Sequence, residues 1–288
     1  VEQAIRNLET YQLLATPSLR EKLAWWGHGK TYTQDKSSLE ERFKTVLTNR
    51  GVWFFAYTPK GAETVVARGF PRASTTAVIN STDTVSLRNA ILDVSESARR
   101  TFASRYDLRG RTGLFIGGLD ETKRIDFLLQ SADIIHRRDP DFRLVVVGRG
   151  VLRRRVEEFA ASNPWVIYLS SLYGSDRAQA FAAAQVLMMP GRVGLAAVDS
   201  FAAETPIATT DWPYHAPEFE YLEDGRNAVI APNDEESYAT SVLSLLRDAG
   251  RLQQLATQCR SDQDSYGVDQ MVANFVDGVV GALTRLSR

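Results

Sequence analysis

The chain has 288 residues, 44% of them apolar, and its 34 Lys and Arg against 35 Asp and Glu leave a formal charge of −1. This length buries a real core and favours about two compact domains, while the charge balance supplies no global field to draw in nucleic acid or an anionic membrane. One cysteine, Cys259, excludes an internal disulfide and a cysteine-built zinc cluster and suits a reducing cytoplasm, and no apolar run reaches the roughly 20 residues of a membrane span.

Residues 1–80 carry a weak βα rhythm. Strand-like runs at 23–26, 53–57 and 76–79 alternate with helical periods at 39–48 and 60–68. A nucleotide-fold domain usually takes about 100–150 residues, so this segment is expected to be the later part of one, with roughly its first half absent. Nothing at Val1 reads as a secretory signal. The polar stretch 80–87 is the expected linker.

From Leu114 onward the alternation strengthens into βαβ units, which implies a parallel sheet covered on both faces. Strands are expected at 114–116, 144–147, 166–169, 186–189, 206–210 and 229–230. Between them fall helices: one capped by Asp120 and running to Ile135, a basic one ending at Glu158, and further ones at 178–184, 195–203 and 235–249. A closing helix covers 268–286. The expected division is a partial N-terminal domain at 1–82, a second domain at 83–267 and a helix at 268–288 that crosses back to the first.

In an open parallel sheet, ligands bind beyond the carboxyl ends of strands, where loops meet helix N-termini. Gly117-Gly118 followed by Lys123 places small residues, amides and a cation at such a point, where an anion would gain from all three. Spacing alone fits a surface lysine after an ordinary turn equally well. Asp199, one turn into the helix after Gly194, could accept two hydrogen bonds from a vicinal diol such as a ribose, or face solvent.

Of the three histidines, His136 ends a helix, where a cation complements the dipole. His28 lies in Trp26-Gly27-His28-Gly29, whose glycines would let the backbone approach a ligand closely. His215 sits in a proline-bracketed loop and either reaches a sugar hydroxyl or braces its own loop. Two further patterns point away from function. Gly148-Arg149-Gly150 lacks the third small residue of a dinucleotide fingerprint, and Asp139-Pro140-Asp141 reads as a turn rather than a metal site. The cluster Arg153-Arg154-Arg155 has no interleaved aromatics and reads as a solvated helix face.

Taken together, these segments resemble glycosyltransferase family 4, retaining enzymes with nucleotide-sugar donors and the GT-B fold of two facing Rossmann-like domains. Gly113-Leu-Phe-Ile-Gly-Gly-Leu-Asp-Glu-Thr-Lys123 is similar to the segment that grips the donor diphosphate, and Arg143-Leu-Val-Val-Val-Gly-Arg-Gly150 to the strand and turn that follow. Met189-Pro-Gly-Arg-Val-Gly-Leu-Ala-Ala-Val-Asp199 is similar to the segment with two glutamates seven residues apart. Tyr57-Thr-Pro-Lys-Gly61 and Val78-Ile-Asn-Ser-Thr-Asp83 resemble the end of the acceptor domain and its crossing into the donor domain.

The resemblance implies donor contacts at Gly117, Gly118, Lys123, Arg124, Gly191, Val193, Gly194, Leu195, Asp199 and His215, with Asp199 on the ribose. It implies catalytic roles for Lys123 and for His28, which falls where the family has a histidine near the reacting carbon. Three positions depart from the pattern. Gly118 replaces an arginine, Gly191 the first glutamate, and Asp199 the second. The loop 212–222 runs about two residues long, so Glu218 or Glu220 takes the place of the family's acidic loop residue.

The function so implied is hexosyl transfer with retention, from a nucleotide diphosphate sugar to a saccharide or lipid-linked acceptor, in polysaccharide or glycoconjugate synthesis. No cofactor or metal is called for, since the nucleotide sugar is the substrate. The expected location is the cytoplasm, with any membrane association peripheral and at its inner face. Rival readings are a sugar-nucleotide epimerase on the same fold and a catalytically silent nucleotide-binding module.

Overall fold

A computed structural model describes residues 1–3, 8–29, 38–108 and 110–287. In chain order the elements begin with α1 (Leu8–Ala15), α2 (Pro17–Arg20), β1 (Ala24–Gly27), α3 (Ser38–Thr48), β2 (Trp53–Ala56), α4 (Pro59–Ala67) and β3 (Thr75–Ala77). Next come α5 (Thr84–Leu92), α6 (Glu96–Arg105), β4 (Thr112–Ile116), α7 (Ile125–Arg138), β5 (Arg143–Val147), α8 (Arg153–Ser162) and β6 (Val166–Leu169). The remainder are α9 (Gly174–Ala183), β7 (Val186–Met188), α10 (Ala196–Ala202), β8 (Ile207–Thr210), β9 (Ala228–Ala231), α11 (Glu235–Arg247), α12 (Ala249–Asp262) and α13 (Val268–Leu286). The chain divides into two units, one formed by Val1–Ser81, Ala216–Glu220 and Tyr266–Arg288, the other by Thr82–His215 and Tyr221–Ser265.

The first unit holds a parallel sheet in the order β1-β2-β3. Its apolar residues alternate between two faces, as the period of two in a strand requires. Trp25, Phe54 and Ala56 pack on one side with Leu14, Val65 and Phe70, whereas Trp53 and Phe55 pack on the other with Met271 and Phe275 of α13. Phe55 and Phe275 stack at 4.5 Å between centroids. Helix α4 begins at Pro59, where the missing N–H costs nothing, and the Thr58 hydroxyl accepts from Gly61 N–H at 3.2 Å.

The second unit holds six parallel strands in the order β6-β5-β4-β7-β8-β9. Strands β4, β5, β7 and β8 are buried along almost their whole length, which explains why their sequences read as unbroken apolar runs rather than alternating ones. Helices α7 and α11 pack together, with Phe127 against Tyr238 at 5.7 Å, while α10 packs on α5 and α12. His136 is held structurally: its ring stacks on Trp165 at 4.4 Å and Nδ1 lies 3.2 Å from the Phe142 carbonyl oxygen. Asp139 ends α7 and takes the Arg111 guanidinium at 2.6 Å. Arg153 and Arg154 pair with Glu157 and Glu158 one turn on, and Arg155 with Asp126, so the basic cluster is neutralised on its own surface.

The structure corrects the sequence reading in several places. Residues 80–87 are not a linker throughout, because α5 starts at Thr84, capped by the Asp83 carboxylate accepting from Ser86 N–H at 3.0 Å. Helices α1, α2, α6 and α12 were not expected at all. Phe102 is the one buried residue of α6, and α12 buries only Leu255, Cys259 and Asp262, so neither displays an apolar stripe wide enough to register as a period. Finally, Asp120 caps a single 3-10 turn at Glu121–Lys123 and not α7 itself; Arg124, at φ 53°, turns the chain before α7 begins at Ile125.

Candidate functional site

Strand order reverses between β4 and β7: from β4 the chain builds outward to β5 and β6, then crosses back to β7 on the other side of β4. Such a reversal splays the following loops apart and leaves a crevice at the carboxyl ends of the two strands. The loop after β4 carries Gly117, Gly118, Lys123 and Arg124, and the loop after β7 carries Gly191, Val193, Gly194 and Leu195. The sheet therefore brings the two sequence-distant groups of candidates to one edge.

The loop after β7 is held from both sides. Toward β8, Thr209 and Thr210 hydroxyls donate to the Met189 and Pro190 carbonyls at 2.7 and 2.9 Å. Toward the β4 loop, Arg192 N–H donates to the Thr122 carbonyl at 2.8 Å, and the Lys123 ammonium donates to the Arg192 carbonyl at 2.5 Å. Gly191 lies at the tightest point. A Cβ there would stand 2.5 Å from the Lys123 carbonyl carbon and 2.6 Å from the Thr122 and Lys123 oxygens, so the glutamate of the family pattern has no room in this loop geometry. Beyond it, the amides of Gly194, Leu195 and Ala196 precede the first intrahelical bond, which runs from Ala197 N–H to the Gly194 carbonyl.

His215 braces this assembly. Its Nδ1 accepts from Val193 N–H at 3.1 Å and Nε2 lies 2.8 Å from the Thr210 carbonyl oxygen, which fits a neutral ring with the proton on Nε2. Of the two roles left open by the sequence, the geometry favours the brace, since both ring nitrogens face the backbone. Burial lowers its pKa to about 4, aided by the charges of Lys123, Arg124 and Arg192 and opposed by the hydrogen bond to Thr210. The Arg124 guanidinium also turns to the protein: it donates to the Pro190 carbonyl at 3.3 Å and to Asn233, and it lies 4.0 Å over the Phe127 ring. Burial lowers the Arg124 pKa as well.

Asp199 projects from the first turn of α10 and forms an ion pair at 2.6 Å with Arg177, a residue of α9. Their side chains are 17% and 30% exposed, so the pair is shielded yet reachable. Burial raises the Asp199 pKa, and Arg177 opposes the rise through its charge and hydrogen bond. Sequence reasoning missed Arg177. It lies 22 positions before Asp199 in a helix with no other chemical signal, and only the crossover from β6 to β7 brings it there.

His28 belongs to the first unit, at the carboxyl end of β1. Its ring lies 4.4 Å from that of Tyr57, which follows β2. The flanking glycines have a structural explanation not foreseen from the sequence: a Cβ on Gly29, at φ 75°, would meet the Gly61 carbonyl oxygen at 2.5 Å, and one on Gly27 would meet Gln3 at 2.7 Å. The close approach they permit is to other parts of the protein. Both acidic candidates of the 212–222 loop are anchored within this unit, Glu218 accepting from Asn80 at 2.6 Å and Glu220 from Lys60 N–H at 3.0 Å. Among the described residues no cluster of three or more His, Cys, Asp or Glu could hold a metal, and no helix is long and apolar enough to cross a membrane.

Comparison with known proteins gives a family match and a shared fold. Residues 110–248 match the family model Glycosyl transferases group 1. The chain is 24% identical over 210 residues to mannosylfructose-phosphate synthase of Agrobacterium fabrum, covering 66% of this chain and 45% of that protein. It is 27% identical over 175 residues to phosphatidyl-myo-inositol mannosyltransferase of Mycolicibacterium smegmatis, covering 58% and 44%. It thus spans under half the length of these curated relatives. Among solved structures, Anabaena HepE in complex with UDP matches with a TM-score of 0.75 at 14% identity, over 94% of this chain and 75% of that one. A glycosyltransferase from Rickettsia africae matches with a TM-score of 0.71 at 11% identity, over 97% and 83%. The fold they share with this chain is GT-B.

Proposed function

We propose, from the match of residues 110–248 to the Glycosyl transferases group 1 family model, that the protein transfers a hexosyl group from a nucleotide diphosphate sugar to a saccharide or lipid-linked acceptor, with retention at the anomeric carbon. The observation that carries this reading is the reversal of strand order between β4 and β7, whose two loops gather an ammonium group, first-turn amides and a carboxylate at one edge. In the proposed pose the diphosphate lies against the Gly117–Gly118 turn and the amides of Gly194 and Leu195, and Asp199 accepts from the ribose hydroxyls.

In the proposed reaction, the bond from the anomeric carbon to the diphosphate oxygen breaks and a bond to an acceptor hydroxyl oxygen forms, as that hydroxyl's proton passes to the leaving diphosphate. Negative charge builds on the leaving diphosphate. Lys123 and the helix amides stabilise it without reorganising, because the loop bonds described above already fix them. His28 enters the proposal from the family resemblance as the group beside the reacting carbon. HepE was solved with UDP and with UDP-glucose, which supports a nucleotide-sugar donor for this chain.

A silent nucleotide-binding module is the second reading, favoured by Gly118 and by the lack of room for a side chain at Gly191. A panel of nucleotide sugars, assayed for nucleoside diphosphate release with and without added acceptors, separates the possibilities. Acceptor-dependent release supports transfer, interconversion of free nucleotide sugars indicates an epimerase, and binding without turnover leaves only the module.

A further inference from the structure

The pair of Asp199 with Arg177 plays no part in holding the loops together, and neither the family pattern nor the mechanism above uses the arginine. Arg177 stands in the first turn of α9, which follows β6 and so begins at the same carboxyl edge of the sheet as α10. One of its guanidinium nitrogens lies 2.6 Å from one Asp199 oxygen, Oδ2. Aspartate is one methylene shorter than glutamate. Its carboxylate therefore lies closer to the helix, where burial disfavours the charged form.

We propose that Arg177 is a positioning residue of the nucleotide site, holding the Asp199 carboxylate in the orientation and charge state that accept hydrogen bonds from the ribose hydroxyls of a nucleoside diphosphate. This rests on the donor pose proposed above. Among the described residues of α5, α9 and α12, no charged group other than Arg177 acts on Asp199, Arg251 of α12 included. On α12, Arg260 pairs with Glu204 and Asp262 with Arg226; on α5, Arg88 is exposed; on α9, Asp176 is exposed. Arg177 is the charge that acts on Asp199. A guanidinium is suited to this because it stays protonated and offers planar donors to a carboxylate.

The test is calorimetric titration of the full chain with uridine diphosphate, guanosine diphosphate and 2′,3′-dideoxyuridine diphosphate between pH 5.5 and 9. At pH 7, Arg177→Met should bind the ribonucleotide at least about tenfold more weakly than the parent. The loss should shrink as pH rises and grow as it falls, because removing the cation leaves burial to raise the Asp199 pKa unopposed. Its preference for the ribonucleotide over the dideoxy form should also collapse, and Arg177→Lys should restore part of both effects. Unchanged affinity, pH profile and ribose preference in Arg177→Met would overturn the proposal and leave a purely structural ion pair. Failure of the parent to bind either diphosphate would instead overturn the donor pose. If thermal melting shows that Arg177→Met does not fold, Arg177→Gln takes its place with the same expectations.

Discussion

Replacing Gly191 by alanine tests the clasp between the two site loops. The added Cβ would stand 2.5–2.6 Å from backbone atoms of Thr122 and Lys123, nearly 1 Å inside ordinary contact, and no flexible side-chain end can move to admit it. Overpacking of this kind costs about 1–3 kcal/mol. Parting the loops also strains the Arg192-to-Thr122 backbone bond, worth about 1 kcal/mol. The expected loss is about 2–4 kcal/mol, or a melting transition lower by roughly 5–15 °C for a unit of this size. Gly117→Ala is the control from the same site, since its Cβ would meet nothing closer than Phe115 at 3.7 Å and should leave stability within about 1 kcal/mol of the parent. The assay is thermal and urea unfolding followed by circular dichroism. If Gly191→Ala melts with the parent, the two loops are not in contact as described.

Three further outcomes follow from the same geometry. His215 has a folded pKa of about 4, below its usual 6.5, so its contribution is complete above pH 6.5 and is lost as pH falls toward 4; urea midpoints across that range should drop in the parent and flatten in His215→Gln. Gly118→Arg meets only the end of the Asp120 carboxylate, at 2.9 Å, which can rotate away, so calorimetry should show a folded variant that binds nucleoside diphosphates more tightly, and weaker binding would count against a diphosphate at that turn. Lys123→Ala and His28→Ala should each reduce turnover at least about tenfold on an active donor, and near-parental rates would end their catalytic assignment.

The strands of the second unit were legible because burial on both faces leaves continuous runs such as residues 144–147. Lys123 and Asp199 stood out only through their places in longer segments, yet the sheet order gathers both segments at one edge. What the sequence concealed depended on contacts across it. The glycines around His28 advertise close approach without naming what approaches, and the neighbours are Gln3 at Gly27 and Gly61 at Gly29. His215 showed a reactive side chain, but its two backbone partners are Val193, in the loop after β7, and Thr210, at the end of β8. Arg177 carried no local pattern whatever.

The path of the chain limits how this protein can be dissected. Residues 216–220 belong with the first unit although the segments on either side belong to the second, and their carboxylates answer to Asn80 and to the start of α4. A recombinant fragment cut at 82 and 265 would carry that short stretch away from its partners, stranding Glu218, which is 4% exposed in the intact chain. Chimeras that exchange the first unit between homologous proteins should therefore transfer three pieces together: 1–81, 216–220 and 266–288.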